Sequence, residues 1–215
     1  MKTIMKKALF ILVAMTLVSA TAFAQVRVGV GYANSADRFK VQNSDVQVGT
    51  ANGVYGTIGL NIPVAGDLSF SPSVMYTYLT AKSGKSGLGG LVSAGATSQE
   101  HYINVPLHLE YGSELFPNFR LFFFGGPSVS FGLISKTTYS AGIGGYTVDT
   151  AVDNYNDYSD YGRWDVMVGG GMGFDLLHRI RLTVGYDFGL LDRELDSGSI
   201  TRHRNQLSAG VAFLF

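Results

Sequence analysis

Eight stretches of this chain alternate apolar with small or polar residues at period two. No other feature constrains the fold as tightly. In RIRLTVGYDFGLL (179–191), Ile180, Leu182, Val184, Tyr186, Phe188 and Leu190 fall on one face. Arg181, Thr183, Gly185, Asp187 and Gly189 fall on the other. A strand projects successive side chains to opposite faces, so this pattern specifies a strand with one apolar face. The same pattern recurs at 26–32, 54–64, 68–79, 102–111, 119–133, 164–177 and 206–215. No helical period follows residue 25.

The connections alternate as well. Tight ones run Ala65 to Asp67, Gly112 to Asn118 and Leu177 to Arg179. Long ones span 33–53, 82–100, 135–163 and 191–205 and are rich in Gly, Ser, Asn and Asp. An even-stranded meander with tight turns at one end and long loops at the other is the plan of an outer-membrane barrel. The long stretches read as solvated loops, with 82–98 mobile.

The two faces decide which solvent lies outside. The apolar face of all eight strands carries no Lys, Arg, Asp or Glu. The opposite face is dominated by Gly and Ser, among them Gly29, Gly31, Ser69, Ser71, Ser73, Gly169, Gly171, Gly173 and Gly185. That is a poor exterior for a soluble barrel, which needs surface charge. It suits a crowded lumen. A basic residue on a lipid-facing wall costs about 2–4 kcal/mol at the bilayer midplane, which accounts for the missing charges. Only 15% of residues are charged, against about 25% in ordinary soluble domains. Tyr32, Tyr76, Tyr78, Tyr111, Trp164 and Phe215 lie where interfacial aromatic girdles form. The expected fold is all-β: a single eight-stranded antiparallel up-and-down transmembrane barrel, integral to the outer membrane.

The N-terminal MKTIMKKALFILVAMTLVSATAFAQ combines Lys2, Lys6 and Lys7, a short apolar run and an Ala22-Phe23-Ala24 cleavage pattern. It reads as a cleaved signal peptide over 1–24, followed by a barrel domain over 25–215 with no further domain. The chain has no Cys, which excludes disulfides and thiolate metal sites. Its formal charge of zero gives no electrostatic case for nucleic acid.

YINVPLHLEY (102–111) and GGGMGFDLLHRIRLTVGYDFGLLD (169–192) resemble the PorT-like outer-membrane β-barrel proteins of the Bacteroidetes. The elements that carry this are Pro106, the Gly-rich sixth segment and the Tyr-Asp-x-Gly-Leu end of the seventh. The plan is also similar to the small barrels of the OmpA and OmpX kind. The resemblance implies an outer-membrane barrel whose terminal Phe215 is read by the barrel-assembly machinery. The founding member of the family serves in type IX secretion, which implies an accessory secretion role as one function.

Two sets of residues are candidate sites. Tight turns place Glu110 opposite Arg120 and Asp175 opposite Arg181, with Arg27 at similar height. Opposite charges on facing strands attract, and buried charges need partners. A cross-linked lumen plug that fixes register is therefore expected, in preference to a gate. The third long connection contains Asp149, Asp153, Tyr155, Asp157, Tyr158, Asp160 and Tyr161, a candidate recognition surface. It lacks the spacing and turn Gly of a calcium loop. His101, His108, His178 and His203 are scattered, so no metal or cofactor is expected. Asp165 and Asp187 approach a carboxylate pair without a clear partner, so no enzyme is expected. The leading reading is a structural or partner-binding barrel acting through its outer loops. A secretion accessory subunit, a narrow solute pore and, last, a rim enzyme stand behind it.

Overall fold

The computed structural model describes residues 24–41, 44–87, 92–144, 146–156, 162–193 and 200–215. The candidate residues Asp157, Tyr158, Asp160 and Tyr161 and the expected signal segment 1–23 lie outside the described residues. Nine strands form: β1 (Gln25–Val41), β2 (Ser44–Ala65), β3 (Leu68–Gly87), β4 (Val92–Phe116), β5 (Phe119–Ile143), β6 (Tyr146–Asp153), β7 (Trp164–Leu176), β8 (Ile180–Gly189) and β9 (Ile200–Leu214). All pair antiparallel. The order β4-β3-β2-β1-β9-β8-β7-β5, closed by β4 against β5, makes an eight-stranded barrel. The ninth strand, β6, is an outgrowth on the upper part of β5.

The faces sort as period two demands. Val30, Val54, Ile58, Phe123, Met172 and Val184 are exposed on the outer wall. Ser71, Thr77, Phe122, Ser130 and Arg181 are buried within. For a wall in lipid, this inside-out distribution is what burial in two solvents requires.

At the lower end the strands are joined by short turns whose backbone needs explain their residues. Gly66 adopts φ 52° and Asn118 φ 67°, values that Gly and Asn tolerate best. Leu177 and His178 both adopt left-handed φ, 55° and 53°. With the Arg179 amide donating to the Leu176 carbonyl at 3.0 Å, these two residues form the centre of a turn whose left-handed positions Asn and Gly fill best.

The stretches read as loops at the other end are mostly strand. Asn34 to Val41 pair with residues of β2 and β9. Lys82–Gly87 pair with Val92–Thr97, so the described residues of the Gly/Ser-rich segment are laddered and not free loop. Glycine and serine composition reads as coil, but antiparallel neighbours can satisfy such a backbone as well as water does. Eight residues beyond Ala33 rise about 25 Å along a strand, so these hairpins project well past the aromatic girdle. Tyr32, Tyr76, Tyr78 and Trp164 consequently sit partway along the ring of strands and not at its rim.

Three prolines, Pro72, Pro106 and Pro127, lie on adjacent β3, β4 and β5. The β2–β3, β3–β4 and β4–β5 ladders each lapse there without a change of register: Gly59↔Ser73 is followed by Ile62↔Phe70, Pro72↔Leu107 by Met75↔Asn104, and Pro106↔Ser128 by Leu109↔Gly125. Proline has no N–H for a ladder. The Ser71 hydroxyl donates to the Leu60 carbonyl at 3.3 Å, supplying a donor beside Pro72.

Candidate functional site

Three layers fill the lumen. The lowest is the expected charge cluster. Asp175 and Arg181 face each other across the β7–β8 turn, and Arg181 grips Asp175 with Nε at 2.7 Å and Nη2 at 2.9 Å. Arg181 also donates from Nη1 to Glu110 at 2.8 Å. Arg27 reaches Glu110 from β1 at 3.0 Å, and Arg120 reaches Asp175 at 3.2 Å. Glu110 does not face Arg120 directly: the β4–β5 register sets Glu114 opposite Arg120 and Glu110 opposite Phe124. Arg120 still approaches Glu110 at 3.9 Å. Arg181 stacks on Phe122, its guanidinium carbon 4.3 Å from the ring centre. Planar guanidiniums suit this double duty of bidentate pairing and stacking.

Above it lies a cavity of about 80 Å³, lined by Tyr55, Met75, His108, Phe124, Asp187 and Gln206 among others. Glycines on the facing strands give the aromatic rings their space. A Cβ at Gly173 would lie 2.5 Å from Phe122, and one at Gly31 would lie 2.5 Å from Tyr55. His108 Nε2, Asp187 Oδ1 and Gln206 Oε1 find no hydrogen-bond partner among the described residues. A cavity of this size has room for a water that can hydrogen-bond these atoms.

The third layer lies toward the upper end, and the sequence did not announce it. Arg204, fully buried, lies with its guanidinium carbon 3.9 Å from the Tyr102 ring centre. Its Nη2 donates to Ser130 at 2.8 Å, and its Nε lies 4.0 Å from Asp165. Arg193 donates to the Tyr102 hydroxyl at 2.9 Å, and that hydroxyl donates to Glu100. Arg193 and Arg204 belong to the stretch read as the fourth loop. Strand β9 carries Arg204 and His203 instead.

Tyr155 is a correction to the expected recognition surface. It is buried, folded inward over the barrel mouth. A Cβ at Gly132 would lie 2.5 Å from its ring, so only glycine leaves the place free. Arg163 covers the ring at 4.6 Å, and Asn154 donates to Ser135 at 2.9 Å. Asp153 turns back to accept from the Tyr155 amide at 3.1 Å and from Asn156 at 2.9 Å. Asp149 stays exposed on β6.

Asp165 and Asp187 are not brought together as a pair. Asp187 faces Gly169, four residues along β7 from Asp165, and Asp165 lies against Arg204. His101 stands on the outer wall, His108 in the cavity and His178 on a tight turn. Among the described residues, no His, Asp and Glu gather in threes.

A closed antiparallel cylinder, apolar outside and packed with paired charges inside, defines a transmembrane β-barrel of the bacterial outer membrane. Residues 21–193 match the family model described as outer membrane protein beta-barrel domain. The chain belongs to that family and is integral to the outer membrane. No curated protein matches it. Among solved structures it is similar to Ail, the attachment invasion locus protein of Yersinia pestis, crystallised with the heparin analogue sucrose octasulfate. That match has 12% identity and a TM-score of 0.42, and covers 89% of this chain and 99% of Ail. It is also similar to Neisserial surface protein A, with 14% identity, TM-score 0.41, and 87% and 97% of the two chains covered. A third is OprG of Pseudomonas aeruginosa, with 8% identity, TM-score 0.42, and 89% and 96% covered.

Proposed function

We propose that this barrel is a non-enzymatic display protein: its lumen is filled, and its β5–β6 hairpin binds a partner outside the cell. The carrying observation is the surface of that hairpin. Tyr139, Ile143, Tyr146 and Val148 are all exposed, Tyr146 at 85% and Ile143 at 72%. They lie on the projecting part of the sheet, beyond the lipid that covers other apolar residues of the wall. Exposed apolar patches in water mark interaction sites. Among the described residues β6 pairs only with β5, so no strand of those residues occupies its second edge. An extended peptide can add to such an edge as a further strand.

The resemblance to PorT-like barrels makes a secretion-apparatus component one candidate partner. The test is a photo-crosslinking amino acid at Val148, with a lipid-facing control at Val184, read by mass spectrometry of outer-membrane extracts. A protein captured from Val148 alone, and lost on Thr147→Pro, supports the reading. Capture of the same proteins from both positions, or none from Val148, sinks it. If single-channel recordings of the wild type show stable open steps, the filled lumen is the wrong premise.

A further inference from the structure

We propose that the outer face of β3–β5, just above the aromatic girdle, binds the phosphorylated headgroup of an outer-leaflet glycolipid. The argument starts from register. Tyr78 faces His101, which faces Ile134. One step up, Thr80 faces Gln99, which faces Lys136, and above that Lys82 faces Thr97. An extra residue in β5 between the pairs His101↔Ile134 and Tyr102↔Gly132 turns both Leu133 and Ile134 outward, at 38% and 41% exposed. Taken together, the three strands stack tiers on their lipid side: Ile103 and Leu133 lowest, Tyr78 and His101 level with Ile134 above them, then Lys136 on β5 and Lys82 on β3 higher still.

The aromatic tier is ordered. The His101 ring packs 4.9 Å from that of Tyr78, and its Nδ1 lies 2.5 Å from the Tyr76 hydroxyl. Rings of this kind settle at the headgroup level of a bilayer. That fixes the height of Lys82 and Lys136 at or just beyond the headgroups.

Both lysines are exposed, and neither forms an ion pair with a described residue. The carboxylate across the ladder from Lys136 is Asp153. Its oxygens accept instead from Tyr155 and Asn156. Two strand spacings sideways and two residues along place the lysine Cα atoms about 12 Å apart. Two flexible stems of that reach can close on one phosphate or straddle two. Below them, Ile134, Leu133 and Tyr76 form a bed for acyl chains. A lone surface lysine would attract any anion; cations stacked over an ordered aromatic tier and an aliphatic bed match an amphiphile with a phosphate at its water-facing end.

Each lysine near a charged membrane surface contributes roughly a fivefold gain in affinity. The test uses the full barrel in zwitterionic nanodiscs, titrated with diphosphorylated lipid A, its dephosphorylated form, phosphatidylglycerol and inorganic phosphate, with bound lipid read by native mass spectrometry. The expected result is preferential retention of diphosphorylated lipid A. The Lys82→Ala/Lys136→Ala double variant should lose it by about 20-fold or more, and Lys82→Arg/Lys136→Arg should keep it. Heat-dependent gel mobility checks that each variant is folded. Equal binding of the dephosphorylated form, equal binding of phosphatidylglycerol or of phosphate alone, or an unchanged double variant would each overturn the proposal.

Discussion

Glu110 is the residue on which the lower lumen turns. Its carboxylate accepts from Arg27 at 3.0 Å and Arg181 at 2.8 Å, with Arg120 at 3.9 Å. The side chain is 2% exposed and that of Arg181 1%. Glu110→Ala leaves three guanidiniums facing Asp175 alone. Breaking a buried pair by removing one partner costs about 3–5 kcal/mol, because the other charge stays buried. With a urea slope near 2 kcal/mol/M, the unfolding midpoint should fall by roughly 1.5–2.5 M. Glu114→Ala is the matched control. Its partner His178 lies 3.4 Å away, but both side chains are at least half exposed, so the cost should stay below about 1 kcal/mol. Urea titration of the refolded barrel in detergent, followed by Trp164 fluorescence and by heat-dependent gel mobility, reads both variants. Added salt should leave the Glu110 effect largely intact, since buried pairs are poorly screened. If Glu110→Ala and Glu114→Ala shift the midpoint equally, the cluster is wet and the reasoning fails.

Other outcomes follow from the wall and turns. Replacing Leu177-His178 by Asn-Gly should stabilise the barrel by about 1–2 kcal/mol in the same titration, since both positions hold left-handed backbone; a loss of stability would contradict this. Gly29→Val should block assembly, because even a Cβ there would lie 2.7 Å from both Ala212 Cβ and the Val211 carbonyl oxygen; normal yield of the compact gel species would refute it. Val184→Arg should cost about 2–4 kcal/mol in lipid vesicles, and no measurable cost would mean that this face is not in the bilayer core.

The architecture was legible because one period governs the whole wall. Ile180 to Leu190 alternate without interruption, and tight turns fix register locally, so Asp175 and Arg181 could be matched from sequence. What needed the closed ring stayed hidden. Glu110 finds Arg27 and Arg181 across the lumen, 83 and 71 residues away in the chain. The upper layer was missed for a related reason: Arg204 lies in a polar stretch that composition assigns to a loop, yet its pairing with β1 extends the strand through it and turns it inward. Tyr55, Tyr102, Phe122 and Phe124 sit on the small-residue face, where period two alone gives no reason to expect rings. Tyr155 was read as a surface aromatic because its pocket is made by an absent side chain, that of Gly132.

Ser71 has a consequence for how such a barrel comes apart. Its hydroxyl donates to the Leu60 carbonyl beside the Pro72 gap, and it also accepts from Arg27 Nη1 at 2.5 Å. One oxygen thus belongs both to the staves and to the contents of the cask. Loosening Arg27 removes a restraint from the atom that mends the wall, and opening the wall there strips Arg27 of an acceptor. Loosening of the Arg27 contacts and opening of the β2–β3 ladder at this gap should therefore be coupled.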